Sequence, residues 1–148
     1  MKYSLVDYVL TISIPQKLRS ALGLTTISVG GEGTYLDSFS FSMNTDTWSI
    51  NGDNTGSYIH TKSLDRTGSS ELVLNQLAPK VIQLTRLFNL YFSSDVIDEG
   101  VTMTLSDADS NTVVTCSDCF IKKLPNIEIQ GTPTTRRWTF NCGKIVVY

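Results

Sequence analysis

The chain has 148 residues, a formal net charge of −2, 41% hydrophobic and 18% charged residues. That length can bury a core without disulfide or metal support, and it points to a single domain over residues 1–148. The mildly acidic balance argues against a general nucleic-acid binder, and the three cysteines cannot all pair within the chain. Asp7 interrupts the N-terminus too early for a signal-peptide core, no apolar run reaches membrane-spanning length and no Asn-x-Ser/Thr sequon occurs. The expectation is a protein made in a cytosol, with free thiols and no membrane insertion.

Residues 3–14 read as a first strand, rich in Val, Ile, Leu and Tyr and ended by Pro15, with a loop after it. Strand character resumes over residues 25–29 and stops at Gly30-Gly31-Glu32-Gly33. Residues 38–43 then alternate strictly, which sets Phe39, Phe41 and Met43 on one buried face. Residues 44–58 are mostly polar and read as a protruding hairpin or long loop, with Asn51-Gly52 as the tight-turn signal and a strand around residues 58–62. Its Trp48, Ile50 and Tyr58 are large side chains that need a partner.

A strand over residues 70–75 leads into the one long helical pattern, opened by Pro79, whose fixed φ and missing N–H suit a first helical turn. Stepping about 100° per residue gathers Val81, Leu84, Leu87, Phe88, Tyr91 and Phe92 on one face. Ile82 and Leu90 fall on the far side, flanking Arg86, so the helix calls for cover from a second direction, which a neighbouring subunit would supply. Residues 101–105, a turn at 107–111, residues 112–121, a Pro-containing connection and a final pair at 137–142 and 144–147 complete the pattern. The fold class is mainly β, a sandwich or barrel of two antiparallel sheets with one flanking helix.

The candidates for chemistry are thin. Cys116-Ser117-Asp118-Cys119 has the spacing of half a zinc site that Cys142 and His60 would complete, but residues three apart in a regular strand point to opposite faces, and a second Cys-x-x-Cys is absent. Nor does a helix follow it, as thioredoxin-like redox use requires. Asp107 to Asn111 imitates the opening of a calcium loop, with Thr112 where the sharp turn needs Gly, and reads better as a polar hairpin turn. His60 is the single histidine, and no Gly-x-Ser-x-Gly elbow supports a hydrolytic triad. Gly30 to Gly33 precedes a strand, so no helix dipole stands ready for phosphate. Arg136-Arg137-Trp138 reads as solvated charges at the start of a strand. No catalytic residue, metal ligand or cofactor is assigned.

Several local motifs, taken in order, resemble the tail tube proteins of contractile-tailed bacteriophages. They are the opening Tyr3-Ser4-Leu5-Val6-Asp7-Tyr8-Val9-Leu10-Thr11-Ile12, the Gly-x-Gly at Gly31 and Gly33, the strand Phe39-Ser40-Phe41-Ser42-Met43 and the turn Asp65-Arg66-Thr67-Gly68-Ser69. The Thr115-Cys116 strand and the closing Trp138-Thr139-Phe140 also fit, whereas residues 16–24 and the apolar ending Ile145-Val146-Val147-Tyr148 depart from the pattern. The resemblance implies hexameric rings stacked into the inner tube of the tail, located in the virion and made in the host bacterial cytoplasm. It implies sheets joined between subunits around a lumen that conducts DNA without sequence-specific binding, and tail sheath, baseplate and tail terminator proteins as further partners. By the same resemblance residues 44–58 contact the adjacent ring. Trp48, Ile50 and Tyr58 are then expected at the inter-ring contact, and Ile82 and Leu90 on an inter-subunit helix face.

A lumen that passes DNA should avoid strong cation clusters, which would hold phosphates, so Asp and Glu are expected there with Arg136 turned elsewhere. Two rival readings remain. One is the tube of a related contractile injection system, of bacteriocin or secretion type, which carries no genome. The other is a carbohydrate-binding β-sandwich that uses Trp48 and Tyr58 as a stacking platform.

Overall fold

The computed structural model describes residues 5–30, 36–93 and 99–148. Past a 3-10 turn at Leu5–Asp7, strand β1 (Val9–Ser13) pairs antiparallel with β2 (Thr26–Gly30). Between them lies a helix, α1 (Gln16–Leu22), where the sequence pattern suggests only a loop. It starts directly after Pro15, buries Leu18 and Leu22 one turn apart, and ends at Gly23, whose φ of 75° is left-handed and whose N–H bonds to the Arg19 carbonyl at 2.8 Å. Two anchoring leucines in seven residues are too few to register as a helical period. The first strand is correspondingly shorter than expected, because Leu5 to Asp7 turn instead of extending.

The remaining strands are β3 (Leu36–Met43), β4 (Trp48–Gly52), β5 (Tyr58–Lys62), β6 (Gly68–Asn75), β7 (Val101–Ser106), β8 (Thr112–Lys123) and β9 (Thr135–Val147). They form two antiparallel sheets: seven strands in the order β2-β1-β7-β8-β9-β6-β3, and the pair β4-β5. The large sheet is rolled. The Ser70 hydroxyl on β6 donates to the Met103 sulfur on β7 at 3.5 Å, although the two strands are three places apart in the order, roughly 14 Å in a flat sheet. Phe39 and Phe41 of the edge strand β3 likewise share a surface cleft with Leu5, Tyr8 and Leu105. The roll encloses a core built on Trp138, Phe140, Leu10, Ile12, Ile27, Leu72 and Leu74.

Helix α2 (Lys80–Ser93) lies against β2 and α1 and adds Val81, Leu84 and Leu87 to that core. The Asn75 side chain sets its approach by accepting the Leu77 N–H at 3.0 Å, four residues before Pro79. Phe88 and Tyr91 of the expected stripe are half-buried, whereas Phe92, in the last turn, is exposed. Met43 also departs from its expected place: at the end of β3 it is 40% exposed, where Phe39 and Phe41 are half-buried.

The expected closing pair of strands is one 13-residue strand, β9. Its inward positions run Trp138, Phe140, Cys142 and then Ile145, a change of phase at Gly143-Lys144 that imitates a break in the sequence. β8 changes phase at the same level. Asp118 adopts φ 57°, its carboxylate accepts the Gly100 N–H at 3.0 Å, and opposite β7 the register slips between Val101 and Met103. This is why Cys116 and Cys119 both point inward, against the expectation for a regular strand.

Candidate assembly surfaces

The β4–β5 hairpin is the largest departure from burial. Every residue of both strands is exposed. Its register pairs Trp48 with Lys62, Ile50 with His60 and Gly52 with Tyr58, so these six residues share one face. Trp48 and Ile50 are each 60% exposed and Tyr58 65%, with the Lys62 ammonium 5.8 Å from the Trp48 ring and His60 edge-on to Tyr58 at 5.4 Å. The three side chains singled out in the sequence therefore form a single apolar strip, edged by two polar groups. Ile59, equally exposed, sits on the opposite face and has no counterpart in the sequence reading.

The turn of this hairpin is not at Asn51-Gly52, since both belong to β4. It spans residues 53–57, closed by the Asp53 N–H on the Ser57 carbonyl at 2.9 Å. The Asp53 carboxylate accepts from the Thr55 N–H, the Thr55 hydroxyl and the Ser57 N–H at 2.7–3.0 Å, and these bonds, led by the Thr55 hydroxyl, hold its carboxyl below the usual range. A carboxylate that organises the turn outcompetes the generic Asn-Gly preference.

On α2, Ile82 is 69% exposed, as an inter-subunit role would need. Leu90 is half-buried against the protein's own core and lines a groove with Ala21 of α1, Arg86, Asn89 and Ser93. α1, unseen in the sequence, supplies part of the second-side cover that Leu90 called for. A second surface cleft is lined by Phe88, Tyr91, Phe92, Phe120 and Ile121. There the Tyr91 hydroxyl donates to the Glu99 carbonyl at 2.7 Å, and burial, then the Asp118 and Glu99 carboxylates, push its pKa up to about 12.

The interior offers no comparable chemistry. Cys116, Cys119 and Cys142 are free, buried and mutually close, with the Cys142 thiol donating to the Ser70 hydroxyl at 3.7 Å. The bond to Cys116, then that to Cys142, and burial together push the Cys119 thiol well above its usual range. Among the described residues no group of three or more His, Cys, Asp or Glu side chains is arranged to hold a metal ion. His60 is far from a core position, exposed on β5. Asp107 organises a plain hairpin turn, accepting from Asp109 and Asn111 N–H groups at 3.0 and 2.9 Å. The glycines at 31 and 33 lie outside the described residues.

Residues 2–148 match the family of the bacteriophage PhiTE tail tube protein. The chain belongs to this tail tube family. No curated protein sequence matches it significantly. Solved structures of the same fold include the tube-terminating cap of an anti-feeding prophage, at TM-score 0.57 and 12% identity, over 100% of this chain and 93% of that one. They also include a chain of the sheath–tube complex of an extracellular contractile injection system (TM-score 0.57, 12% identity, 99% and 91% covered) and a chain of its sheath/tube terminator (0.58, 13%, 100% and 97%). The resemblance drawn from the sequence motifs is borne out, and with it a β-rich structural protein of the tail tube type. Membership in a structural family points away from catalysis, and no helix among the described residues is long and apolar enough to cross a membrane.

Proposed function

We propose that this tail tube protein assembles into hexameric rings that stack into the inner tube of a phage tail, and that the lumen conducts DNA when the genome is ejected. The observation that carries the reading is the hairpin. An extended two-stranded arm whose residues are all exposed, yet which sets Trp48, Ile50 and Tyr58 on one face, is suited to bury that face against another molecule. A stacked ring supplies the partner, because the same arm repeats around each ring and meets an identical ring each time. Ile82 and the Leu90 groove on α2 then serve contacts between neighbours within a ring. The strands β2 and β3, which each have one pairing partner among the described residues, are edges that a closed ring would protect.

By the same reading the tube is enclosed by a sheath protein and capped by a terminator, on a baseplate, and resides in the virion after synthesis in the host cytoplasm. Solved relatives of this fold come from a sheath–tube complex and from a terminator, which supports the first two partners. The same relatives favour a second reading, the tube of a contractile injection system. Nucleic acid protected inside purified particles separates the two.

The test is assembly. The wild-type chain should form rings and tubes above a critical concentration, seen by sedimentation and negative-stain electron microscopy. Trp48→Ala should fold normally and raise that concentration at least tenfold, the equivalent of a single interfacial hot spot. Normal tubes from Trp48→Ala would sink the assignment of the hairpin.

A further inference from the structure

The hairpin's angle is not set by packing, since neither of its strands is buried, so something at its base must hold it. The base is a bulge. On the body side the last ladder rungs are Met43 with Gly68 and the Asn44 N–H on the Thr67 carbonyl at 3.0 Å. On the hairpin side they resume with the Ser63 N–H on the Thr47 carbonyl at 2.7 Å and Trp48 opposite Lys62. Between these rungs Thr45 and Asp46 on one leg face Leu64, Asp65 and Arg66 on the other. One extra residue interrupts the ladder and bends it, which is how a bulge re-aims a strand pair.

Beside the Asn44 amide bond to the Thr67 hydroxyl at 3.1 Å on the body-side rung, the interruption itself is bridged by the Asp65 side chain. Asp65 Oδ2 accepts the Thr45 hydroxyl across the gap at 2.6 Å, while Oδ1 accepts the Thr67 N–H at 2.9 Å and the Thr67 hydroxyl at 2.7 Å. The next residue ties this leg to the body. The Ile145 N–H of β9 donates to the Arg66 carbonyl at 3.0 Å, and the Arg66 guanidinium reaches the Ile145 carbonyl at 3.5 Å. The leg carrying Asp65 is thus fixed to the main sheet, and the carboxylate passes that fix to the other leg.

We infer that Asp65 is the positioning residue that sets the angle of the β4–β5 hairpin for docking, latching a bulge that would otherwise act as a hinge. The docking half of this inference rests on the ring-to-ring reading above; the latch does not. Charged acceptors bound by hydroxyl and amide donors are the stronger hydrogen bonds; the one from the Thr45 hydroxyl crosses the level where the backbone ladder is missing, and the two from Thr67 hold the carboxylate on its own leg.

The test compares the wild-type chain with Asp65→Ala by backbone residual dipolar couplings and amide relaxation, below the concentration at which it assembles, and then measures the critical concentration for tube growth. In the wild type, couplings from β4–β5 and from the large sheet should fit one alignment. In Asp65→Ala the hairpin should need its own, smaller alignment while the sheet is unchanged, and the critical concentration should rise several-fold. Thr45→Val, which removes only the cross-gap donor, should reproduce the effect and decides the matter if Asp65→Ala does not fold. A hairpin that stays aligned with the sheet in both variants overturns the latch. A hairpin that loosens with no change in tube growth leaves the latch standing and overturns the docking role assigned to the hairpin.

Discussion

Trp48 is a side chain of large apolar area that the hairpin leaves 60% exposed, and the proposed ring-to-ring contact would bury it. Trp48→Ala should therefore change the folding stability of the unassembled chain by less than about 0.5 kcal/mol in urea titration, while acting strongly on tube growth. Asp65 and Asp53 act on the same arm by charge. Bonds from Thr45 first, then Thr67, hold the Asp65 carboxyl below its ordinary 3.8, and bonds from Thr55 do the same for Asp53. A lowered folded pKa means that the order these carboxylates impose is complete above the unfolded value and lost as pH falls through the folded one. The Thr55 and Ser57 amide signals, through Asp53, and the Thr67 amide signal, through Asp65, should hence be invariant from neutral pH down to about 4 and shift only below it; a shift centred near pH 6 would contradict this. Trp48, Ile50 and Tyr58 were legible in the sequence because large apolar residues stand out in a polar stretch. Asp65 was not, since an Asp before a strand looks like any turn residue until the two legs are counted against each other.

At the scale of elements, α2 and β3 were readable because each repeats one period for long enough: Val81, Leu84 and Leu87 for the helix, Phe39 and Phe41 for the strand. Leu84 is fully buried, and Leu84→Ala should cost about 2–5 kcal/mol in chemical denaturation. α1 escaped notice for want of length. β9 was split in two because its alternation slips at Gly143, a slip shared with the Asp118 bulge of β8 that only the pairing of the two strands explains. Gly68 marks a different constraint. A Cβ there would meet the Ser42 carbonyl oxygen and the Ile145 side chain where the hairpin leaves the sheet. Backbone oxygen cannot step aside, so Gly68→Ala should destabilise the fold by about 1–3 kcal/mol, seen as a lowered urea midpoint, whereas the same change at Gly131, which meets nothing, should be near neutral.

At the scale of the whole molecule, a rolled seven-stranded sheet covered by two helices explains the core, and what it leaves outside is the surface on which the proposed assembly rests. The two sheets were foreseeable from alternation and turn signals; their inequality was not, because Trp48, Ile50 and Tyr58 look like core residues in sequence and yet the β4–β5 pair stays exposed. The most direct measurement is a cryo-electron microscopy reconstruction of tubes grown from the wild-type chain. The account predicts hexameric rings with each hairpin at the boundary between rings and Trp48, Ile50 and Tyr58 buried there. Tubes whose hairpins stand free in solvent or point into the lumen, or a chain that stays monomeric even on addition of preformed tube fragments, would contradict it.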